Sequence, residues 1–109
     1  MVESQERGPL TETVFYVLLA LHEPMHGYGI MQRASEMSGG RVSIGAGTLY
    51  GALTTLVEKG WITPLGGDAG ERKKQYVISD TGRAVVRAEL ARLEELLATG
   101  REIAGRESL

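Results

Sequence analysis

The sequence predicts a mainly helical α+β domain in which three short helices and a β-hairpin are followed by one long helix. Three observations carry this expectation. Apolar residues recur at helical spacing in three stretches between Leu10 and Lys59. Two β-prone runs, Trp61–Leu65 and Lys74–Ile78, flank a glycine-rich turn. A fourth helical pattern then runs from Ser79 or Asp80 to about Ile103. The 109 residues suffice for one modest core, and domains of this size often complete their core by associating.

The first helix is expected over Leu10–Leu21. Thr11 can cap it, with Glu12 in the first turn, where the macrodipole favours negative charge. Its apolar residues are nearly continuous (Val14, Phe15, Val17, Leu18, Leu19, Leu21), which places it at the centre of the core, and Pro24 stops it. The second helix covers about Gly27–Met37, with Ile30, Met31, Ala34 and Met37 at helical spacing and Gly39-Gly40 at its end. After an extended link, Arg41-Val42-Ser43, the third helix covers about Ala46–Lys59. Leu49, Leu53, Leu56 and Val57 form its buried stripe, and Gly60 is its C′ residue. Its opposite face offers Thr48, Tyr50, Gly51, Thr54 and Thr55, which are polar or small and uncharged.

The turn Gly66-Gly67-Asp68-Ala69-Gly70 joins the two strands into a hairpin and holds the basic arm Arg72-Lys73-Lys74 out in solvent. In the last helix Val86, Leu90, Leu93 and Leu97 follow one another at spacings of four, three and four, a heptad-like seam. A second stripe holds Val85, Ala88, Leu96 and Ile103. A helix of roughly 20 residues spans ~30 Å, more than three small helices can cover, so a second copy of the chain is the expected cover for its apolar face. Gly100 and Gly105 predict fraying toward Leu109. The expected organisation is a flexible N-terminus over residues 1–9, a winged helix-turn-helix over 10–78, and a dimerisation helix with a frayed tail over 79–109.

Charge and composition narrow the function classes. The net charge is −2, which by itself weighs mildly against nucleic acid, but the acidic residues gather at Glu89, Glu94, Glu95, Glu102 and Glu107 while Arg72-Lys73-Lys74 is the basic triplet. No cysteine is present, so neither a disulfide nor a thiolate metal site is expected. The polar start, Met1–Pro9, lacks the pattern of a signal peptide, and Val14–Leu21 is too short to cross a bilayer. A soluble, cytoplasmic protein with no membrane partner is expected.

Two motifs of enzymes occur and are set aside. His22-Glu23-Pro24-Met25-His26 fits the H-E-x-x-H pattern, but zinc chemistry needs both histidines on one face of a continuous helix, and Pro24 and Gly27 break it. His26 is expected to pack or hydrogen-bond at the start of the second helix. Gly45-Ala46-Gly47 begins like a dinucleotide fingerprint, yet the next glycine is wrongly spaced and no βαβ unit surrounds it. No catalytic, metal or cofactor site is expected, and the chain is not read as an enzyme.

From Leu10 to about Ile103 the chain resembles the PadR-like transcriptional regulators. The resemblance is carried by Leu10-Thr11-Glu12 with the apolar helix after it, His26-Gly27-Tyr28-Gly29-Ile30, Gly47-Thr48-Leu49-Tyr50-Gly51-Ala52-Leu53, Glu58-Lys59-Gly60-Trp61-Ile62 and Lys73-Lys74-Gln75-Tyr76. Each motif is weak alone; their order and spacing make them specific together. The resemblance implies a homodimeric repressor of the cytoplasm that binds a palindromic operator in double-stranded DNA and often responds to a small phenolic or drug-like effector. In some relatives aromatic side chains line a pocket at the dimer interface, whereas the final helix here has no aromatic residue.

In that reading Ser43, Thr48 and Tyr50 donate to phosphates, and Thr54 or Thr55 approaches base edges. Arg72, Lys73 and Lys74 lie on a wing beside the backbone or minor groove, where counterion release dominates affinity. Tyr28 and Gln32 stand on the helix that crosses the backbone. Val86, Leu90, Leu93 and Leu97 hold the dimer. The bland alternatives are a solvated third-helix face, Tyr28 or Tyr50 packed on the core, and Trp61 as core or rim packing. A winged helix that contacts only other proteins is the competing function, favoured by the uncharged third helix and opposed by the basic wing.

Overall fold

The computed structural model describes residues 8–66 and 74–105. The elements are α1 (Glu12–Ala20), β1 (Met25–His26), α2 (Gly27–Met37), α3 (Ala46–Glu58), β2 (Ile62–Leu65), β3 (Gln75–Ile78) and α4 (Asp80–Gly100), with a π turn over Arg101–Gly105. This is the mainly helical winged helix-turn-helix that the sequence predicts, with its long final helix. Expectations for residues 1–7, for the hairpin tip 67–73 with Arg72 and Lys73, and for the tail 106–109 lie outside the described residues.

Local chemistry sets most boundaries. The Thr11 hydroxyl accepts from the Val14 amide at 3.1 Å, which satisfies one of the free donors at the start of α1. Helix α1 ends at Ala20, before Pro24 is reached. With Nδ1 protonated, His22 donates to the Leu18 carbonyl at 3.0 Å, so the helix end is closed by a side chain rather than by the proline. His26 caps α2: its Nδ1 accepts from the Gly29 amide at 3.3 Å. Each imidazole of the H-E-x-x-H pattern therefore serves its own helix end. Gly60 takes φ of +78° after α3, the left-handed conformation that glycine accepts without strain.

The sheet has one strand more than expected. Its order is β1-β3-β2, antiparallel throughout. Met25 pairs with Tyr76 and His26 with Gln75, so β1 covers the free side of the hairpin. Pro64 lies on β2, an edge strand, where its missing N–H interrupts no second ladder.

The core joins Val17, Leu18 and Leu21 of the first helical segment to Ile30 and Ala34 of α2, Leu49, Leu53 and Leu56 of α3, and Ile62, Ile78 and Val86. Val42 and Ile44 are buried from the extended link, which turns Ser43 between them outward. Val86 corrects the sequence reading. Expected on the dimer seam, it is 4% exposed and belongs to this chain's own core. The cause is geometric: the first three turns of α4, as far as Glu89, lie on the domain, and only later turns leave it.

An ion pair between a buried carboxylate and a partly exposed arginine marks that departure point. Glu89 is 2% exposed, and Arg92 grips it through Nε at 3.1 Å and Nη2 at 2.5 Å. The Leu10 amide also donates to Glu89, at 3.4 Å, which ties the segment before α1 to α4. The hydrogen bonds to Glu89 hold the Arg92 proton more tightly and raise its pKa. Past Glu89 the helix buries no residue, and it runs through Gly100 into the π turn.

Candidate nucleic-acid interface

The described candidates for DNA contact are exposed on the domain. On α3, buried Leu49, Leu53 and Leu56 alternate with exposed Thr48, Tyr50, Gly51, Thr54 and Thr55, so the helix turns an uncharged, mostly small face outward. Tyr28 and Gln32, one helical turn apart on α2, are exposed, as are Ser43 in the link and Lys74 at the start of the wing's return strand. Among these residues Lys74 is the described cation. Such a face meets a polyanion through hydroxyl and amide donors, with positive charge at its wing edge.

The hydroxyls are not equivalent. Thr54 donates to the Tyr50 carbonyl at 3.0 Å, so its proton is turned back onto the helix and its methyl faces out. Thr48 makes no such bond among the described residues and stays available as a donor. Tyr50 is 50% exposed, and the tip of its ring, hydroxyl foremost, lies against the backbone of Gly27. Tyr28, at 61% exposed, projects freely.

Tyr76, which sequence reasoning names only within a motif, packs half-buried against the core close to Tyr50. It lies on the central strand, opposite Met25 on one side and Pro64 on the other. Burial pushes its phenol above the usual 10.0, and the neighbouring Tyr50 adds to the shift.

An open groove of about 340 Å³, which shares Thr55 with the outer face of α3, lies between the start of α1 and the end of α3. Leu10, Val14, Leu56 and Trp61 give it apolar walls, with Thr55 and Lys59 on its α3 side. The Lys59 ammonium sits 5.2 Å from the centroid of the Trp61 ring, a cation–π contact. Trp61 is thus rim packing with one face toward the groove.

The far half of α4 is the other unusual surface. Leu90, Leu93, Leu96, Leu97 and Ile103 are 44%, 39%, 56%, 54% and 69% exposed. A run of large apolar side chains along one projecting helix is what association surfaces look like. Among the described residues no helix is long and apolar enough to cross a membrane.

Comparison with known proteins agrees with this architecture. The model of the transcriptional regulator PadR-like family matches residues 15–88. An uncharacterised 37.1 kDa transposon protein of Streptomyces fradiae is 36% identical over 74 residues, which are 67% of this chain and 20% of that protein. This chain thus spans about a fifth of the relative's length. A PadR family transcriptional regulator from Eggerthella lenta superposes with a TM-score of 0.69 at 26% identity, over 94% of this chain and 84% of its own. PadR of Bacillus subtilis, solved in complex with operator DNA, gives 0.64 at 26% identity, over 76% of this chain and 48% of that one.

Proposed function

The chain belongs to the PadR-like family of transcriptional regulators, and from that premise we propose that it is a homodimeric repressor that binds a palindromic operator. The observation that carries this reading is the winged helix-turn-helix itself, which superposes on PadR of Bacillus subtilis in complex with operator DNA, with Thr48, Tyr50, Tyr28, Gln32, Ser43 and the wing residue Lys74 exposed. Residues 10–78 form the DNA-binding unit. Helix α3 enters the major groove, with Thr48 and Tyr50 on phosphates and the Thr54 methyl or Thr55 at base edges. Arg72, Lys73 and Lys74 follow the backbone beside it. The operator complex of the Bacillus subtilis relative supports the assignment of partner.

Residues 79–109 supply the dimer. Leu90, Leu93 and Leu97, exposed in the single chain, pack against a second copy and set two recognition helices about one turn of DNA, ~34 Å, apart. Seated in the groove beside Trp61, a small-molecule effector relieves repression by favouring a helix arrangement that no longer fits the operator. No step of this function is catalytic.

Selection of binding sites from a random duplex pool tests it. The expected result is an enriched palindrome whose half-sites are one helical turn apart. A pool that stays unenriched would instead favour the protein-contact reading of the winged helix.

A further inference from the structure

A side chain at Gly27 would have to displace the tip of the Tyr50 ring. A Cβ built there would meet the Tyr50 hydroxyl oxygen and lie 2.8 Å from Cζ and 3.3 Å from Cε1 of the same ring. The need for glycine is not conformational, since Gly27 is not among the residues of positive φ. It is the tip of the Tyr50 ring that a methyl group would push off its seat.

Three elements meet at this ring. Tyr50 belongs to α3, and Gly27 is the first residue of α2. The two residues before Gly27 are β1, paired through Met25 and His26 to Tyr76 and Gln75 of the wing strand β3. Tyr76 lies near enough to Tyr50 that the second phenol adds to the rise that burial gives its pKa.

We propose that the Tyr50 ring seated on Gly27 is a positioning contact, which fixes the angle between α2 and α3 and aligns the recognition helix with the wing. The inference rests on the DNA-binding reading and adds a role for Gly27 that the operator contacts do not include. Its leverage follows from length. Helix α3 has 13 residues and is about 20 Å long, so a tilt of about 5° moves its far end by about 2 Å. Hydrogen bonds hold only over roughly 0.5 Å of distance, so such a tilt breaks hydrogen bonds far from the ring.

The ring and the hydroxyl of Tyr50 have separable tasks, and that makes the idea testable. The variants are Gly27→Ala, Tyr50→Phe, Tyr50→Leu and the double variant Gly27→Ala/Tyr50→Leu. Each is measured in the full chain for thermal stability and for affinity to the selected duplex across a salt series. Gly27→Ala is expected to lose at least about tenfold in affinity and to show a shallower salt dependence, because the wing lysines no longer reach their phosphates. Tyr50→Phe keeps the ring and loses only the phosphate hydrogen bond of its hydroxyl, a clearly smaller loss than that of Tyr50→Leu. Tyr50→Leu weakens binding as much as Gly27→Ala does, and combining the two costs nothing more.

Equal losses in Tyr50→Phe and Tyr50→Leu would overturn the proposal, since the hydroxyl alone would then carry the effect. So would wild-type affinity in Gly27→Ala, or losses that simply multiply in the double variant. If Gly27→Ala does not fold, the contrast of Tyr50→Phe with Tyr50→Leu still decides. Should the wild-type chain select no duplex, it is the DNA reading that fails. The melting temperatures of the same four variants then decide the contact: non-additive shifts uphold it, and additive shifts overturn it.

Discussion

Gly82, in the first turn of α4, packs against the main-chain carbonyl oxygen of Trp61 so closely that a methyl group there would overlap it. The same junction is hydrogen-bonded twice. The Ser79 hydroxyl donates to the Gly60 carbonyl at 2.6 Å, and the Ser79 amide donates to the Trp61 carbonyl at 2.9 Å. The start of the final helix is thus clamped to the turn between α3 and the wing. Gly82→Ala is expected to destabilise the chain by about 1–3 kcal/mol through overpacking. Gly51→Ala, inside α3 where nothing lies within 4 Å, is expected to stabilise it by about 0.5–1 kcal/mol. Urea denaturation of the two variants checks both signs.

Much of this framework is legible in the sequence because caps and stripes are local. Thr11, Ser79 and Gly60 mark helix ends by chemistry that a few neighbouring residues decide, and α2 begins and ends where its glycines and apolar spacing predict. Strand β1 is not legible, since two residues have no periodicity and Met25–His26 becomes a strand only through β3, some fifty positions later in the chain. Val86 is misplaced for a related reason. The spacing of Val86, Leu90, Leu93 and Leu97 defines one stripe, but only the packed domain decides where along that stripe the core stops. By type Glu89 is an acidic surface residue; its (i, i+3) neighbour Arg92 is the sign that its carboxylate can be held when buried. Residue type alone suggests the candidate site, whereas its supporting contacts, Gly27 beneath Tyr50 above all, depend on tertiary approach.

Titration of Tyr76 makes a second prediction. Its folded-state pKa is raised above 10.0, first by burial and then by Tyr50, so the unfolded chain loses this proton first as the pH rises. The stability linked to it is fully present below pH 10 and is lost as the pH climbs through the folded-state value. Urea unfolding above pH 10 is therefore expected to show a steeper loss of stability in wild type than in Tyr76→Phe. Identical slopes would contradict the raised value.

Replacing both Leu93 and Leu97 by glutamate is expected to yield a folded monomer, because these positions are half-exposed and lie outside the chain's own core. Sedimentation velocity reads the outcome. Val86→Glu is expected to unfold the chain instead, since it buries a carboxylate in the core. A double leucine variant that remained dimeric would place the interface elsewhere.

Charge at the wing should act on all sequences alike. Lys73→Ala and Lys74→Ala are each expected to weaken binding to specific and unrelated duplexes by a similar factor. Each should also reduce the magnitude of the log–log salt slope by about 0.9 for every phosphate that the wing no longer neutralises. Thr55→Ala, by contrast, is expected to change the preference among operator variants and to leave the slope intact. Competition binding with a small set of mutated operators separates the two patterns.

Binding of a duplex by this face through several phosphates is the central claim, and fluorescence anisotropy with the selected operator over a salt series tests it most directly. Affinity is predicted to fall with a log–log slope steeper than about −4, as several phosphate contacts require. Weak binding that does not change with salt would contradict the claim.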